Sequence, residues 1–290
     1  MTLSRLETDE RQTLAKASEA SVVLYVYTST RWVQIERALA SLRQQRHQPV
    51  QVVVVVDDNP ALERRLRAEV PDVLVVKSHH PRGLAGARNS GIETSSGDVV
   101  VFLDDAYADS LWLEELPEPY RHPEVMGVGG VARPDWDGGE QPTWMPPEFL
   151  WIVGCNYQRL PALCAPIRNP IGANMSFRRR AFAPVGPFRL GIGRDRTSRP
   201  LGCEETEFGI RLLQLVPDAR VLYQPTAVVY HEVPPERLSW RYFQSRCLAE
   251  AVSQGAGRPR RGRSGRTECR ALQHHTHARA EARGMHDPSQ

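Results

Sequence analysis

Two adjacent aspartates, Asp104 and Asp105, close the run GDVVVFLDDAYAD (97–109). The residues before them, Val99 to Leu103, are all apolar. Buried carboxylates need partners. A carboxylate pair on a rigid strand end can hold Mg2+ or Mn2+ and leave coordination positions for substrate phosphates. The same two residues could instead cap the turn that follows.

Four other constellations carry possible chemistry. Asp57-Asp58 ends QVVVVVDDNP and could accept hydrogen bonds from a base or ribose, or simply form a turn. Arg88 and Asn89 lie in GLAGARNSG, which is neither a dinucleotide fingerprint nor a P-loop. They could face a diphosphate from the start of a helix, or Arg88 could pair with Glu93 at the surface. Glu204-Glu205 opens a helix after the Gly-rich loop GIGRDRTSRPLG (191–202). That pair could complement the helix dipole or deliver a general base to a cleft. His231 ends a strand, as a further metal ligand or as a structural histidine. A phosphatase of the haloacid dehalogenase kind also ends a strand in Asp, but wants a second Asp where Ala106 stands.

The elements that must position these residues alternate. Buried strands are expected at SVVLYVYTST (21–30), QVVVVV, DVLVVKS (72–78) and VVVFL, separated by amphipathic stretches at WVQIERALASLRQQ (32–45), ALERRLRAEV and GLAGARNSG. In the first of these stretches the expected core face is Val33, Ile35, Leu39 and Leu42. Strand–helix alternation with continuous Val runs predicts a mostly parallel sheet covered on both faces, an α/β fold. Ligands of such sheets bind beyond the carboxyl ends of the strands, where both Asp pairs lie. The second half is broken by Pro and Gly. A strand and short helix are expected in 169–182, a helix in 203–215, two short strands in 219–234 and a last helix over 236–253.

Composition bounds the remainder. The chain has 290 residues, 41% apolar, and its longest apolar stretch, 50–56, is far short of the roughly 20 residues of a spanning helix. The polar start lacks a signal-peptide pattern, so a cytoplasmic location is expected. The five cysteines form no CxxC and read as reduced thiols. The net charge of +3 arises from an Arg- and His-rich tail with His274, His275 and His277. That tail cannot build a core and is expected to be disordered. It reads as uninvolved, so no nucleic-acid partner is expected. Residues 1–20 read as a polar extension, 21–253 as one domain and 254–290 as the basic tail.

Six stretches in order, VVLYVYTSTR, VVVVVDDNP, GLAGARNSGI, GDVVVFLDDA, IGANMSFRR and CEETEFGIRL, together resemble the family 2 glycosyltransferases of GT-A fold over about residues 21–250. The resemblance implies an inverting transfer of a sugar from a UDP- or GDP-sugar donor to a glycan or polyprenyl-linked acceptor, assisted by Mg2+ or Mn2+. It implies Thr28 and Asp58 in the nucleoside pocket, Arg88 at the base or diphosphate, Asp104 at the ribose and Asp105 at the metal. It places Gly172 to Ser176, with Asn174, at the floor of the sugar pocket, and the family's acidic pair at Glu204 and Glu205, with Glu205 the base. Trp144, Trp151 and Tyr157 could stack on sugar rings. Two features depart from the family: one acidic residue is missing from the strand-end motif, and Glu205 stands where Asp is usual. The alternative is a catalytically degenerate nucleotide-sugar-binding protein of the same fold. The pattern is most similar to archaeal and actinobacterial members acting on polyprenyl- or dolichyl-phosphate sugars. The helix ERLSWRYFQSR (236–246) could accordingly rest on the inner face of the cell membrane through Arg241 and Arg246, or pack on the domain.

Overall fold

The computed structural model describes residues 19–136, 140–157, 160–192 and 203–256. Nearly all of the expected N-terminal extension and tail, and loop residues 193–202, lie outside them. Contacts divide the chain into Met1–Gly255 and Ala256–Gln290; the first unit is described below.

Its centre is a nine-stranded sheet. Strands β1 (Ala20–Val26), β2 (Gln51–Val56), β3 (Leu74–Lys77) and β4 (Val99–Leu103) lie side by side in the order β3-β2-β1-β4, all parallel. Alternate residues of each strand enter opposite cores. Val22, Leu24, Val54, Val101 and Leu103 pack on one face, and Val23, Val53, Val55, Val100 and Phe102 on the other. Continuous apolar runs follow from that, because neither face meets water.

The crossover helices are α1 (Trp32–Arg43), α2 (Pro60–Glu69) and α3 (Leu84–Thr94). Helix α1 turns Trp32, Ile35, Leu39 and Leu42 inward. Val33, expected in that face, is exposed instead; Trp32, three residues before Ile35, takes the inward position. Helix α2 starts at Asn59, whose side chain accepts the Leu62 N–H at 3.0 Å, with Pro60 in its first turn. Helix α3 lies against the sheet so closely that a Cβ at Gly91 would sit 2.3 Å from Val23 Cγ1.

Beyond β4 the sheet becomes mixed. Strand β8 (Asn174–Arg178) runs antiparallel to β4, and β6 (Val125–Trp136) antiparallel to β8. Strand β9 (Arg220–Val233) is parallel to β6, while β5 (Ala106–Ala108) and β7 (Ala165–Pro166) pair antiparallel with β9. The expected parallel character thus holds for the first four strands only. Residues 219–234 were expected to hold two strands; they run as one, with a register shift where Tyr223 and Val228 pair with Gly129 and Val131. Pro225 falls inside that bulge, the place in a sheet where a residue without an N–H is tolerated.

Short helices α4 (Trp112–Glu115) and α5 (Phe182–Val185), then α6 (Glu204–Leu215) and α7 (Trp240–Ala256), complete the unit. Trp240 of α7 stacks on Phe243 with centroids 4.9 Å apart, and Trp144 meets both rings edge-on. The helix therefore packs on the domain through its aromatic residues. No helix among the described residues is long and apolar enough to cross a membrane.

Candidate functional site

A cavity of about 990 Å³ opens beyond the carboxyl ends of β1, β2 and β4. The strand ends supply Asp57, Asp104 and Asp105, α3 supplies Arg88, α6 supplies Glu204 and Glu205, and β9 supplies His231. Six of the nine residues singled out from the sequence, Arg88 among them, thus line one cavity.

Arg88 organises one side. It is 2% exposed. Its Nη1 donates to Glu204 Oε1 at 2.8 Å and its Nη2 to Asp104 Oδ2 and to Gly172 O. A Cβ at Gly172 would lie 2.8 Å from that Nη2, so glycine there makes room for the guanidinium. Burial opposes the Arg88 charge, but Asp104 and Glu204 hold its pKa above the ordinary value. Burial pushes the Asp104 carboxyl up, against the pull of Arg88. Asp104 Oδ1 and Glu204 Oε2 are buried and have no hydrogen-bond partner among the described residues. Surface pairing of Arg88 with Glu93 does not occur: Glu93 binds His79 and His80 instead.

Asp105 is held differently. It turns the chain with φ +50°, and its hydrogen-bond partners are not those of Asp104. One of its oxygens accepts from Arg31 and the other from Arg237 Nη2 at 3.3 Å. Burial would raise its pKa, but Arg31, Arg237 and His231 outweigh burial and bring it down to about 2. His231 is 5% exposed, with Nδ1 3.1 Å from Glu232 O. Gly154 lies against its ring; a Cβ there would meet Nε2 at 2.8 Å.

Glu205 follows Glu204 by one residue at the start of α6 and lines the cavity. Burial, then the neighbouring Glu204 charge, push its carboxyl up to about 7. A carboxylate of that pKa is matched to proton transfer near neutral pH.

The remaining candidates lie elsewhere. Asp57, rather than Asp58, lines the cavity; its Oδ2 accepts from Tyr25 Oη at 3.2 Å and from the Gly83 N–H at 3.1 Å. Asp58 has φ +47° and turns to Arg82, 2.8 Å away. Thr28 caps a helical turn by accepting the Thr30 N–H, and lines a small pocket beside the main one, together with Arg31 and Asp105. Asn174 is fully buried and braces the sheet: Trp112 Nε1 donates to it, and it donates to the Val131 and Ala227 carbonyls, all at 2.9 Å. Of the 172–176 stretch, Gly172 and Ala173 reach the cavity. Trp151 and Tyr157 line it, whereas Trp144 packs on α7. Arg246, which is buried, also lines it from α7. Arg31 and Arg237 escaped sequence reasoning because no local motif marks them; a basic residue just after the first strand was the available signal.

The family model described as glycosyl transferase family 2 matches residues 21–186. The chain belongs to glycosyltransferase family 2. A glucosyl-dolichyl phosphate glucuronosyltransferase of Haloferax volcanii is 31% identical over 234 residues, 78% of this chain and 74% of that protein. The succinoglycan biosynthesis protein ExoM of Rhizobium meliloti is 29% identical over 76% of this chain and 68% of its own length. Among solved structures, a mannosyltransferase from Pyrobaculum calidifontis in complex with GDP-Man and Mn2+ superposes with a TM-score of 0.60, at 19% identity, over 90% of this chain and 72% of that chain. The fold of this glycosyltransferase is therefore GT-A, and the chain is an enzyme of that class.

Proposed function

We propose that this family 2 glycosyltransferase is an inverting enzyme. It would move a sugar from a nucleotide-diphosphate donor to a hydroxyl of a lipid-linked acceptor. The observation that carries the reading is the pairing of two unlike carboxylate sets on one cavity. Asp104 and Glu204 present buried acceptor oxygens without partners, suited to the hydroxyl donors of a ribose or sugar. Glu205, at about 7, is suited to take a proton. In the step, the acceptor oxygen bonds to the anomeric carbon, the bond to the leaving diphosphate breaks, and Glu205 receives the acceptor proton. Asp57 is the wall residue offered to the base or ribose, and Trp151 and Tyr157 are placed to cover sugar rings. The proposed transferase domain is 21–253, flanked by the polar extension and the basic tail.

Asp105 and His231 would hold a divalent cation. Each Asp105 oxygen carries one arginine bond and keeps lone-pair capacity, and two protein ligands suffice for Mg2+ or Mn2+ when phosphates complete the shell. Bound there, the ion would neutralise charge on the leaving diphosphate. The relatives' names and the GDP-Man and Mn2+ of the neighbour support this reading. A lipid-linked acceptor would place the enzyme as a peripheral protein at a membrane face, the inner one in this reading.

The test is turnover of UDP- and GDP-sugars with a polyprenyl-phosphate-sugar acceptor, with Mn2+ and with chelator. Glu205→Gln is expected to bind donor but not transfer; undiminished transfer overturns the assignment. A second reading, a donor-binding protein without catalysis, draws on the arginine clamp around Asp105. Calorimetric donor binding with no turnover across the panel would favour it.

A further inference from the structure

A second side-chain cluster lies outside the cavity. His79 and His80, in the loop after β3, both turn Nε2 toward the carboxylate of Glu93 on the last turn of α3. His80 Nε2 is 2.8 Å from Oε1, and His79 Nε2 contacts Oε2. The three ligand atoms lie within 4.8 Å of one another. The rings are 4.9 Å apart and inclined by 37°, so they converge without stacking flat.

The backbone beneath is fixed independently. Ser90, on the same face of α3 as Glu93, accepts the His79 N–H at 3.1 Å and meets Ser78 Oγ at 3.3 Å. A Cβ at Gly86 would lie 2.0 Å from Pro81 O, so the loop lies directly on the helix. Two imidazoles and one carboxylate, convergent and half-exposed, match the donor set of Zn2+ with a fourth position open to water. They match the harder Mg2+ poorly.

We propose that His79, His80 and Glu93 form a Zn2+ site that braces this loop against α3. The loop continues through Pro81 to Arg82 and Gly83, which line the cavity, and the Gly83 N–H holds Asp57. The ion would therefore stiffen one wall of the cavity from outside it. This holds whatever the cavity binds.

The experiment uses the full chain, stripped of metal, with His274, His275 and His277 replaced by Ala so that the tail does not compete. Titration with ZnCl2 in a calorimeter is expected to give one equivalent that depends on His79, His80 and Glu93, counted apart from any taken up at Asp105 and His231. His80→Ala and Glu93→Gln, each at an exposed or half-exposed position, should weaken it at least tenfold. Hydrogen exchange should show added Zn2+ protecting the amides of residues 79–83. No Zn2+ binding, or binding unchanged in both variants, overturns the proposal: the cluster is then only a set of ion pairs. Binding without protection of 79–83 overturns the bracing. Circular dichroism of the metal-free variants separates lost ligands from lost fold, and Glu93→Gln keeps shape and volume should His80→Ala unfold.

Discussion

The environment of each acidic residue, more than its identity, divides the work of the site. Glu204 and Glu205 are neighbours, yet one is bonded to Arg88 while the other titrates near 7. If Glu205 is the base, it works only when deprotonated. Then kcat/KM should fall about tenfold per pH unit below about 7, a slope read directly from a pH–rate profile in buffers of constant ionic strength. Glu205→Gln should lower kcat by roughly 10²- to 10⁴-fold with little change in donor affinity; a change confined to KM would contradict the role. Arg88 acts on the other carboxylates. Arg88→Met would leave Asp104 and Glu204 buried beside no cation. Removing one partner of a buried ion pair costs about 3–5 kcal/mol, so a large drop in Tm is expected, together with loss of donor binding. An unchanged Tm would show that the network is not structural.

At the scale of elements, Asn174, expected at the floor of the sugar pocket, stands apart from the cavity as a joint of the sheet. It joins β8 to the Trp112 indole, to β6 and to the bulge of β9. In Asn174→Ala those partners lose their bonds at about 1–3 kcal/mol for each group left unpaired. The urea midpoint should fall while the slope m stays constant, and an unchanged midpoint would argue against the bracing. The first four strands and their helices were legible because Val runs and turn residues are local signals. The second half was not. Strand β5 follows β4 directly but pairs with β9, and no pattern within three residues announces a partner so distant in sequence. The site was legible as acidic strand ends for the same reason of locality. Whether Asp57 or Asp58 faces inward depends on the left-handed turn at Asp58, which residue types alone do not fix.

Across the whole molecule, the parallel and mixed halves share one sheet through the β4–β8 pairing, and one of the two main cores contains residues of both, from Val22 to Val229. Neither half has a main core of its own, because both large clusters draw on both halves. The domain should therefore unfold in a single cooperative transition, with calorimetric and van't Hoff enthalpies equal; two resolved transitions would contradict a shared core. The arginines on Asp105 extend this unity to the chain's connections. Arg31 immediately precedes α1, and Arg237 lies between β9 and α7, so a single carboxylate latches the first helix of the domain to the approach of its last. Because that carboxyl titrates at about 2, below the ordinary Asp value of about 3.9, the latch adds stability that is complete above about pH 5 and lost as the pH falls toward 2. Asn tolerates the left-handed backbone, so Asp105→Asn removes the charge and keeps the turn. Its stability deficit against the parent chain should stay constant down to about pH 5 and close only in stronger acid. The carboxylate proposed to hold a cation would then also be among the last joints of the domain that acid opens.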